Sequence, residues 1–202
     1  MRAAEAASLA RIASHGVFAG LPHPTTFTPT PSTVTFRPGF WHSLIAPTLA
    51  QSIPVTVVSV NWDAAWIRGC LRAGVAAECG DVSAVERVDV RCNNLEVVDG
   101  VTTGRWAVGE SVLTAEDKVR ILRELQGEGG RVCYVGDSET DLGALVEACV
   151  GVVVGGRMDG VLAELGVEVV RVGEIAGCEE VGERLVRVDS IGEVGRLLGL
   201  VE

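Results

Sequence analysis

The sequence lacks the features that mark membrane-spanning, secreted and zinc-binding proteins. No run of about 18 apolar residues occurs in its 202 residues, so a transmembrane helix is not expected. Its six cysteines form no CxxC pair and its three histidines all precede residue 43, which argues against a zinc site. Buried, reduced thiols are typical of intracellular proteins, and we therefore expect a cytoplasmic location.

Positive charge is also scarce. Lysine and arginine together number 17 against 27 acidic residues, which gives a formal net charge of −10. Binding to nucleic acid or to an anionic membrane needs clustered lysine and arginine, so neither partner is expected. A small phosphorylated substrate stays compatible with this composition, because it needs only a local positive site.

Strand and helix patterns alternate along most of the chain. Runs of β-branched and apolar residues predict strands at 54–60, 132–135, 150–154 and 167–172. Residues 85–108 favour a hairpin that turns at Asp99-Gly100. The alternation predicts an α/β fold in which helices flank a mainly parallel sheet.

The first 35 residues differ in composition from the rest. Residues 3–14 are rich in alanine and are predicted to be helical, whereas residues 21–38 contain most of the prolines and many threonines. The second pattern is typical of an extended linker. We therefore predict a linker segment over residues 1–35 and an α/β core over residues 36–202, with a hairpin-like insert at about 85–108.

The most informative segment is RVCYVGDSETDLGALVEACVGVVVGG, residues 131–156. It predicts a strand, a tight turn, a helix and a second strand. Asp137 and Asp141 then lie at the carboxyl end of the first strand, where ligands bind in open parallel sheets. Two carboxylates beside a glycine turn suit a hard cation such as Mg²⁺. The simpler interpretation is that Asp137 or Ser138 only caps the following helix.

Three more polar residues occupy comparable positions. Ser59 and Asn61 lie at the end of the strand predicted at 54–60, and Lys118 lies in the first turn of a helix predicted to end at Gln126. Helix N-termini attract anions, and a lysine there adds a full positive charge. Hydroxyl, lysine, carboxylates and a metal together would clamp a phosphoryl group. Taken singly, these residues are typical of a strand end, a helix cap and a solvated surface.

The order of these residues resembles that of the haloacid dehalogenase (HAD) superfamily, in its phosphoserine-phosphatase-like branch. VVSVNW (57–62) is similar to the second motif of that family, AEDKVRIL to the third and VGDSETDL (135–142) to the fourth. RPGFWHSLI (37–45) and CNNLEVVDGVTTG (92–104) resemble the helix before the second motif and the insert after it. The resemblance covers about residues 36–156.

This resemblance implies a Rossmannoid core that hydrolyses a small phosphomonoester with Mg²⁺ as cofactor. It assigns Ser59 and Lys118 as catalytic residues. Asn61 would join them in binding the phosphoryl group. Asp137 and Asp141 would hold the metal.

One motif of the family is not found. DxDx[TV] supplies the aspartate nucleophile, and no aspartate precedes Asp63 in this sequence. We expect residues 1–35 to be the remnant of a cap that normally follows that motif, and the chain to have little or no activity by itself. Loss of the strand that carries the motif would leave unpaired sheet edges and favour self-association. A truncated gene product, a sheet closed without the strand and a strand supplied by a partner stay open as explanations.

Other functions compete with the phosphatase hypothesis. A non-catalytic HAD-like binding or interaction protein is favoured by the missing nucleophile. GDSETDLG also resembles the nucleophile block of GDSL-type esterases, with Ser138 as nucleophile, but that chemistry needs a histidine base and no histidine follows His42. Dinucleotide binding is disfavoured because no GxGxxG follows the first strong strand.

Overall fold

The chain divides into two units, which are described separately. In the computed structural model the first comprises Met1–Thr35 and Pro54–Thr114, and the second comprises Phe36–Ile53 and Ala115–Glu202. The structure describes residues 2–78, 80–109, 111–127, 129–175, 177 and 184–201. Within these ranges every helix is too short or too polar to span a bilayer.

Helices and strands alternate through most of the described residues. The α-helices are α1 (Arg2–Ser14), α2 (Ala46–Ala50), α3 (Ala64–Ala77), α4 (Ala115–Gln126), α5 (Leu142–Glu147), α6 (Asp159–Glu164) and α7 (Ile191–Leu197). The strands are β1 (Ala19–Pro22), β2 (Val55–Val58), β3 (Val88–Arg91), β4 (Leu95–Val98), β5 (Val101–Trp106), β6 (Cys133–Gly136), β7 (Val150–Val154), β8 (Val169–Arg171) and β9 (Leu185–Val188). A π-helical turn, Phe40–Ile45, precedes α2 directly.

The first unit contains two small sheets. Strands β1, β5 and β4 form an antiparallel sheet in that order, and β2 pairs in parallel with β3. The hairpin between β4 and β5 turns at Asp99 and Gly100, which both have positive φ angles, of 51° and 75°. Positive φ at two central residues matches the twist of the flanking strands, which explains the Asp-Gly pair.

The N-terminal segment packs on this hairpin. Strand β1 pairs with β5, and the Trp106 indole Nε1 donates a hydrogen bond of 2.9 Å to the Leu9 carbonyl oxygen. Residues 1–35 therefore belong to the same unit as residues 54–114. The sequence-based prediction instead placed a boundary at residue 35 and one core over residues 36–202. Local composition does not reveal that β1 pairs with β5, about 80 residues further along the chain.

Asp63 fixes the start of α3. Its side chain is buried, and its Oδ1 accepts a hydrogen bond of 2.7 Å from the Ala65 backbone N–H. The Leu95 N–H and the His23 Nε2 also contact this carboxylate, at 3.3 and 3.2 Å. A buried carboxylate needs such partners, so Asp63 joins the N-terminal segment, α3 and β4.

The second unit is built on a parallel sheet with the strand order β6-β7-β9-β8. All five residues of β7 are buried, as expected for a central strand covered on both faces. Val186, Val188 and Val194 belong to the core on one face, and Leu145, Val153 and Leu162 belong to the core on the other. The predicted fold class is therefore confirmed: parallel sheets are flanked by helices.

Strand β9 was not predicted from the sequence. Its four residues, LVRV, are few and include Arg187, so they give a weak strand signal. Strand β8 is followed by a 3-10 turn, Val172–Glu174.

Four parallel strands have an edge without a strand partner in the described part of the chain. Strands β2 and β3 pair only with each other, β6 pairs with β7 alone, and β8 pairs with β9 alone. Edge strands present backbone N–H and C=O groups to any extended segment that can pair with them. Self-association through these edges stays a prediction.

Helix α7 packs tightly on the Phe40–Ile45 turn through glycine. A Cβ placed on Gly195 would lie 1.9 Å from the Ser43 carbonyl oxygen, which is backbone and cannot rotate away. By contrast, a Cβ on Gly160 of α6 would have no heavy atom within 4 Å. Packing therefore requires a glycine at position 195 and not at position 160.

We predict that Gly195→Ala lowers the free energy of unfolding by about 1–3 kcal/mol, because overpacking forces α7 away from the turn. Gly160→Ala is the matched control, and should leave stability unchanged or raise it by up to about 1 kcal/mol through helix propensity. Urea denaturation followed by tryptophan fluorescence measures both. Equal stability of Gly195→Ala and the parent chain would contradict the close approach of α7.

Candidate functional site

The predicted turn after β6 brings several polar side chains together. β6 ends at Gly136, and a short 3-10 turn, Glu139–Asp141, leads into α5. A Cβ on Gly136 would lie 2.6 Å from the Asp141 Cβ. Glycine therefore allows Asp141 to fold back against the end of the strand, at the edge of the sheet where ligands bind in such folds.

Lys118 lies in the first turn of α4 and points into this turn. Its Nζ donates hydrogen bonds to Asp141 Oδ1 at 2.7 Å and to Thr140 Oγ1 at 3.0 Å. The residue is only 6% exposed, so it is not the solvated surface lysine that its sequence context alone suggests. It is also the only lysine in the chain, a signal that sequence reasoning missed.

Asp141 is the centre of a buried hydrogen-bond network. Besides Lys118, the Tyr134 hydroxyl donates to its Oδ1 at 2.8 Å, and the Ser138 Oγ donates to its Oδ2 at 2.5 Å. The carboxylate is 7% exposed and both of its oxygens accept hydrogen bonds. The network joins β6, the turn and α4, with one positive and one negative charge.

The environment sets the charge state of the carboxylate. Burial by itself would raise the pKa of Asp141, but hydrogen bonds from Lys118 and Ser138 and the lysine charge outweigh burial and lower it. Burial raises the pKa of Tyr134, and the nearby Asp141 charge raises it further. At neutral pH the aspartate is therefore ionised, and the tyrosine stays a neutral donor.

Asp137 has a different environment from Asp141. Its side chain is 36% exposed, and its Oδ2 accepts a hydrogen bond of 2.6 Å from the Arg37 guanidinium, which is 59% exposed. Ion pairs this accessible to water contribute only about 0–1 kcal/mol. Arg37 was not predicted as a site residue, because nothing in its local sequence indicates a carboxylate partner 100 positions away.

The carboxylates fit Mg²⁺ poorly in this arrangement. In the described residues, no group of three or more His, Cys, Asp or Glu side chains could hold a metal ion. Asp141 faces an ammonium group, which would repel a cation. Asp137 could bind a metal only if the cation displaced Arg37. Metal binding by Asp137 and Asp141 stays a prediction.

Ser59 and Asn61 follow β2 and therefore belong to the first unit. The Ser59 Oγ accepts a hydrogen bond of 3.1 Å from the Asn61 N–H, and the Asn61 Oδ1 accepts one of 2.6 Å from the Trp62 N–H. Both side chains thus stabilise the turn between β2 and α3, while Asp63 caps the helix. Their roles in binding phosphate stay predictions.

Ser138, the nucleophile of the esterase hypothesis, has hydroxyl and carboxylate partners. Its Oγ bonds to Thr140 Oγ1 at 2.9 Å and to Asp141 Oδ2. Nucleophilic serine chemistry requires a base such as histidine to accept the hydroxyl proton. The observed bonds instead place Ser138 among the donors that hold Asp141.

Parallel sheets flanked by helices, with polar turns at their carboxyl ends, define an α/β fold. Two solved phosphatase structures share it. A probable phosphoserine phosphatase from Vibrio cholerae, in its unliganded form, is 22% identical with a TM-score of 0.54, over 84% of this chain and 44% of that one. A phosphoserine phosphatase in a phospho-aspartyl intermediate analogue is 18% identical with a TM-score of 0.51, over 96% of this chain and 77% of that one.

These similarities establish the fold and no more. The chain spans less than half the length of the Vibrio cholerae protein. No family model and no curated protein matches the sequence. The chain is therefore similar to phosphoserine phosphatases in architecture, and its activity has to be argued from its own residues.

We predict that Asp141→Asn lowers the free energy of unfolding at neutral pH by about 3 kcal/mol, because Lys118 would stay buried without its counter-charge. The folded-state pKa of Asp141 is below its ordinary value of 3.8, so its contribution is present above that pH and is lost as pH falls further. The stability difference between parent and variant should therefore shrink below about pH 3.8.

Glu139→Gln is the matched control for Asp141→Asn, since it removes the same charge from an exposed side chain in the same turn. Urea denaturation at a series of pH values measures both variants. If Asp141→Asn loses no more free energy of unfolding than Glu139→Gln does, the buried ion pair between Lys118 and Asp141 is refuted.

We predict that Tyr134 resists ionisation until the protein unfolds in alkali. It is the only tyrosine, so tyrosinate absorbance reports it alone. Asp141→Asn should lower the pKa of Tyr134, because the repelling negative charge is removed while burial persists. An ordinary pKa of about 10 in the folded parent chain would contradict the hydrogen bond to Asp141.

Proposed function

We propose that this chain is a phosphatase-type domain that binds the phosphoryl group of a small phosphomonoester, with Mg²⁺ as cofactor. We further propose that it has little or no turnover by itself. The complete family attacks phosphorus with an aspartate of the DxDx[TV] motif, and no aspartate precedes Asp63 here.

The buried Lys118 carries this proposal. An ammonium group has three donors, and two of them are used by Asp141 and Thr140. In this proposal the third donates to an oxygen of the bound phosphate. Because Asp141 holds the ammonium in place, little reorganisation is needed when the anion arrives. Preorganised donors of this kind stabilise a bound negative charge effectively.

The other proposed contacts rest on sequence order and fold similarity. Ser59 and Asn61 would bind phosphoryl oxygens, and Asp137 would be the metal ligand once Arg37 has been displaced. Asp141, which the resemblance also assigns to the metal, has a more direct role in this structure as the anchor of Lys118. The similarity to phosphoserine phosphatases supports a small phosphorylated molecule as the ligand.

A non-catalytic binding protein is the second candidate. It is favoured by the pairing of each carboxylate with its own cation, Asp137 with Arg37 and Asp141 with Lys118. Both pairs are electrically neutral without a metal. In this candidate function a phosphorylated ligand would bind without being hydrolysed, and the unpaired edges of β2 and β6 would be available for self-association.

We predict that inorganic phosphate shifts the side-chain NMR signal of Lys118, which is the only lysine signal in a ¹⁵N-lysine-labelled sample. Backbone amides from Gly136 to Asp141 should shift with the same midpoint. Lys118→Met should abolish the amide shifts. Arg120→Met is the matched control, because it removes a cation from an exposed position on the same helix and should change nothing.

The same samples separate the two candidate functions. Mg²⁺-dependent hydrolysis of an aryl phosphate that disappears in Lys118→Met would establish the hydrolase. Phosphate binding without hydrolysis would favour the non-catalytic protein. If phosphate leaves Lys118 and its turn unaffected, both candidates are wrong.

A further inference from the structure

Two arginines lie side by side on β8 and β9, across the parallel sheet from β6. Arg171 of β8 and Arg187 of β9 are register partners, so their side chains leave the same face of adjacent strands. Like charges opposite each other destabilise a sheet unless an anion compensates them. Asp159 at the start of α6 bonds to Arg187 and is also influenced by the charge of Arg171. Two positive charges thus share one aspartate.

Arg187 keeps an unused donor. Its side chain is 15% exposed, and one terminal nitrogen bonds to Asp159. Its Nε is buried and has no hydrogen-bond partner in the part of the chain that is described. A buried donor without a partner destabilises the folded chain.

Both arginines line a small cavity. It has a volume of about 280 Å³ and is bounded by Arg171, Val172, Gly173, Glu174, Arg187, Asp189 and Glu193. A second hollow of about 360 Å³ shares Val172, Gly173 and Glu193 with it and adds Ile175, Arg196 and Leu197. The first space is therefore strongly charged, and the second offers apolar surface beside it.

The charges around the first cavity have both signs. Glu174 and Glu193 each use one carboxylate oxygen to accept backbone N–H groups, of Arg171 at 3.1 Å and of Asp189 at 2.7 Å. Asp189 is exposed and acts on Arg187 through its charge. A simple anion would be repelled by these acids, and a simple cation would be repelled by the arginines. A ligand that carries both charges satisfies both groups.

We propose that this cavity binds an α-amino acid with an apolar side chain. The carboxylate would contact the guanidinium groups of Arg171 and Arg187 where they line the cavity, and the ammonium group would contact Asp189 and Glu174. The side chain would extend toward Val172, Ile175 and Leu197. The site is separate from Lys118, because β7 lies between β6 and β9 and places their ends about 10 Å apart.

A matched set of ligands tests this assignment. L-leucine carries both charges, 4-methylpentanoate lacks only the ammonium group, and 3-methylbutylammonium lacks only the carboxylate. L-leucine should shift the backbone amides of residues 172–174 and 189–193 saturably in NMR titrations. Each analogue should bind at least about tenfold more weakly, because each loses one charge-assisted set of hydrogen bonds.

Variants of exposed residues identify the contacts without disturbing the core. Arg171→Met and Asp189→Asn should each lower the affinity for L-leucine at least about tenfold. Arg120→Met should leave this affinity unchanged. L-leucine should also raise the melting temperature of the parent chain and not that of Arg171→Met. The proposal is overturned if 4-methylpentanoate binds as tightly as L-leucine, if Arg171→Met binds normally, or if L-leucine causes no shifts.

Discussion

The ion pair between Lys118 and Asp141 determines how the second unit is organised. Moving two charges out of water costs several kcal/mol each, and the cost is recovered only when the remaining donors and acceptors are satisfied. Here Tyr134, Ser138 and Thr140 satisfy them. The end of β6, the following turn and the start of α4 therefore cannot rearrange independently. The position of the candidate ligand-binding lysine is set by the same contacts that stabilise the fold.

Sequence reasoning predicted the α/β class, the strand at β6 and the turn after it, because strand and turn signals there are local. It did not predict that Lys118 pairs with Asp141, since this contact depends on how α4 packs beside the sheet. Tyr134 has the pattern of an ordinary strand residue, and β9 is too short to stand out beside Arg187. The pairing of β1 with β5 was missed for a related reason: it joins segments that are distant along the chain. The one unused signal was the presence of a single lysine.

Asp137 and Asp141 differ in how readily each could exchange its cationic partner for a ligand. Arg37 and Asp137 are both accessible to water, so their pair is weak and a ligand could replace either member at little cost. Lys118 and Asp141 are buried and mutually dependent. Metal-dependent catalysis and metal-free binding therefore differ mainly in whether Arg37 leaves Asp137. An α/β fold similar to that of phosphoserine phosphatases does not decide this question, since folds host many functions and the individual site decides the chemistry.

Burial of the only lysine has a practical consequence for the folded chain. A phosphate ion would need to reach only the part of Lys118 that stays exposed, which is 6% of the residue. Acetylation, ubiquitin attachment and amine-directed cross-linking instead require a lysine amine that an enzyme or a bulky reagent can reach, and this chain offers none on a side chain while α4 stays packed. Such reactions at Lys118 would proceed only from locally opened molecules. Their rate would therefore measure how often the Asp141 network opens, much as amide hydrogen exchange measures the opening of a helix.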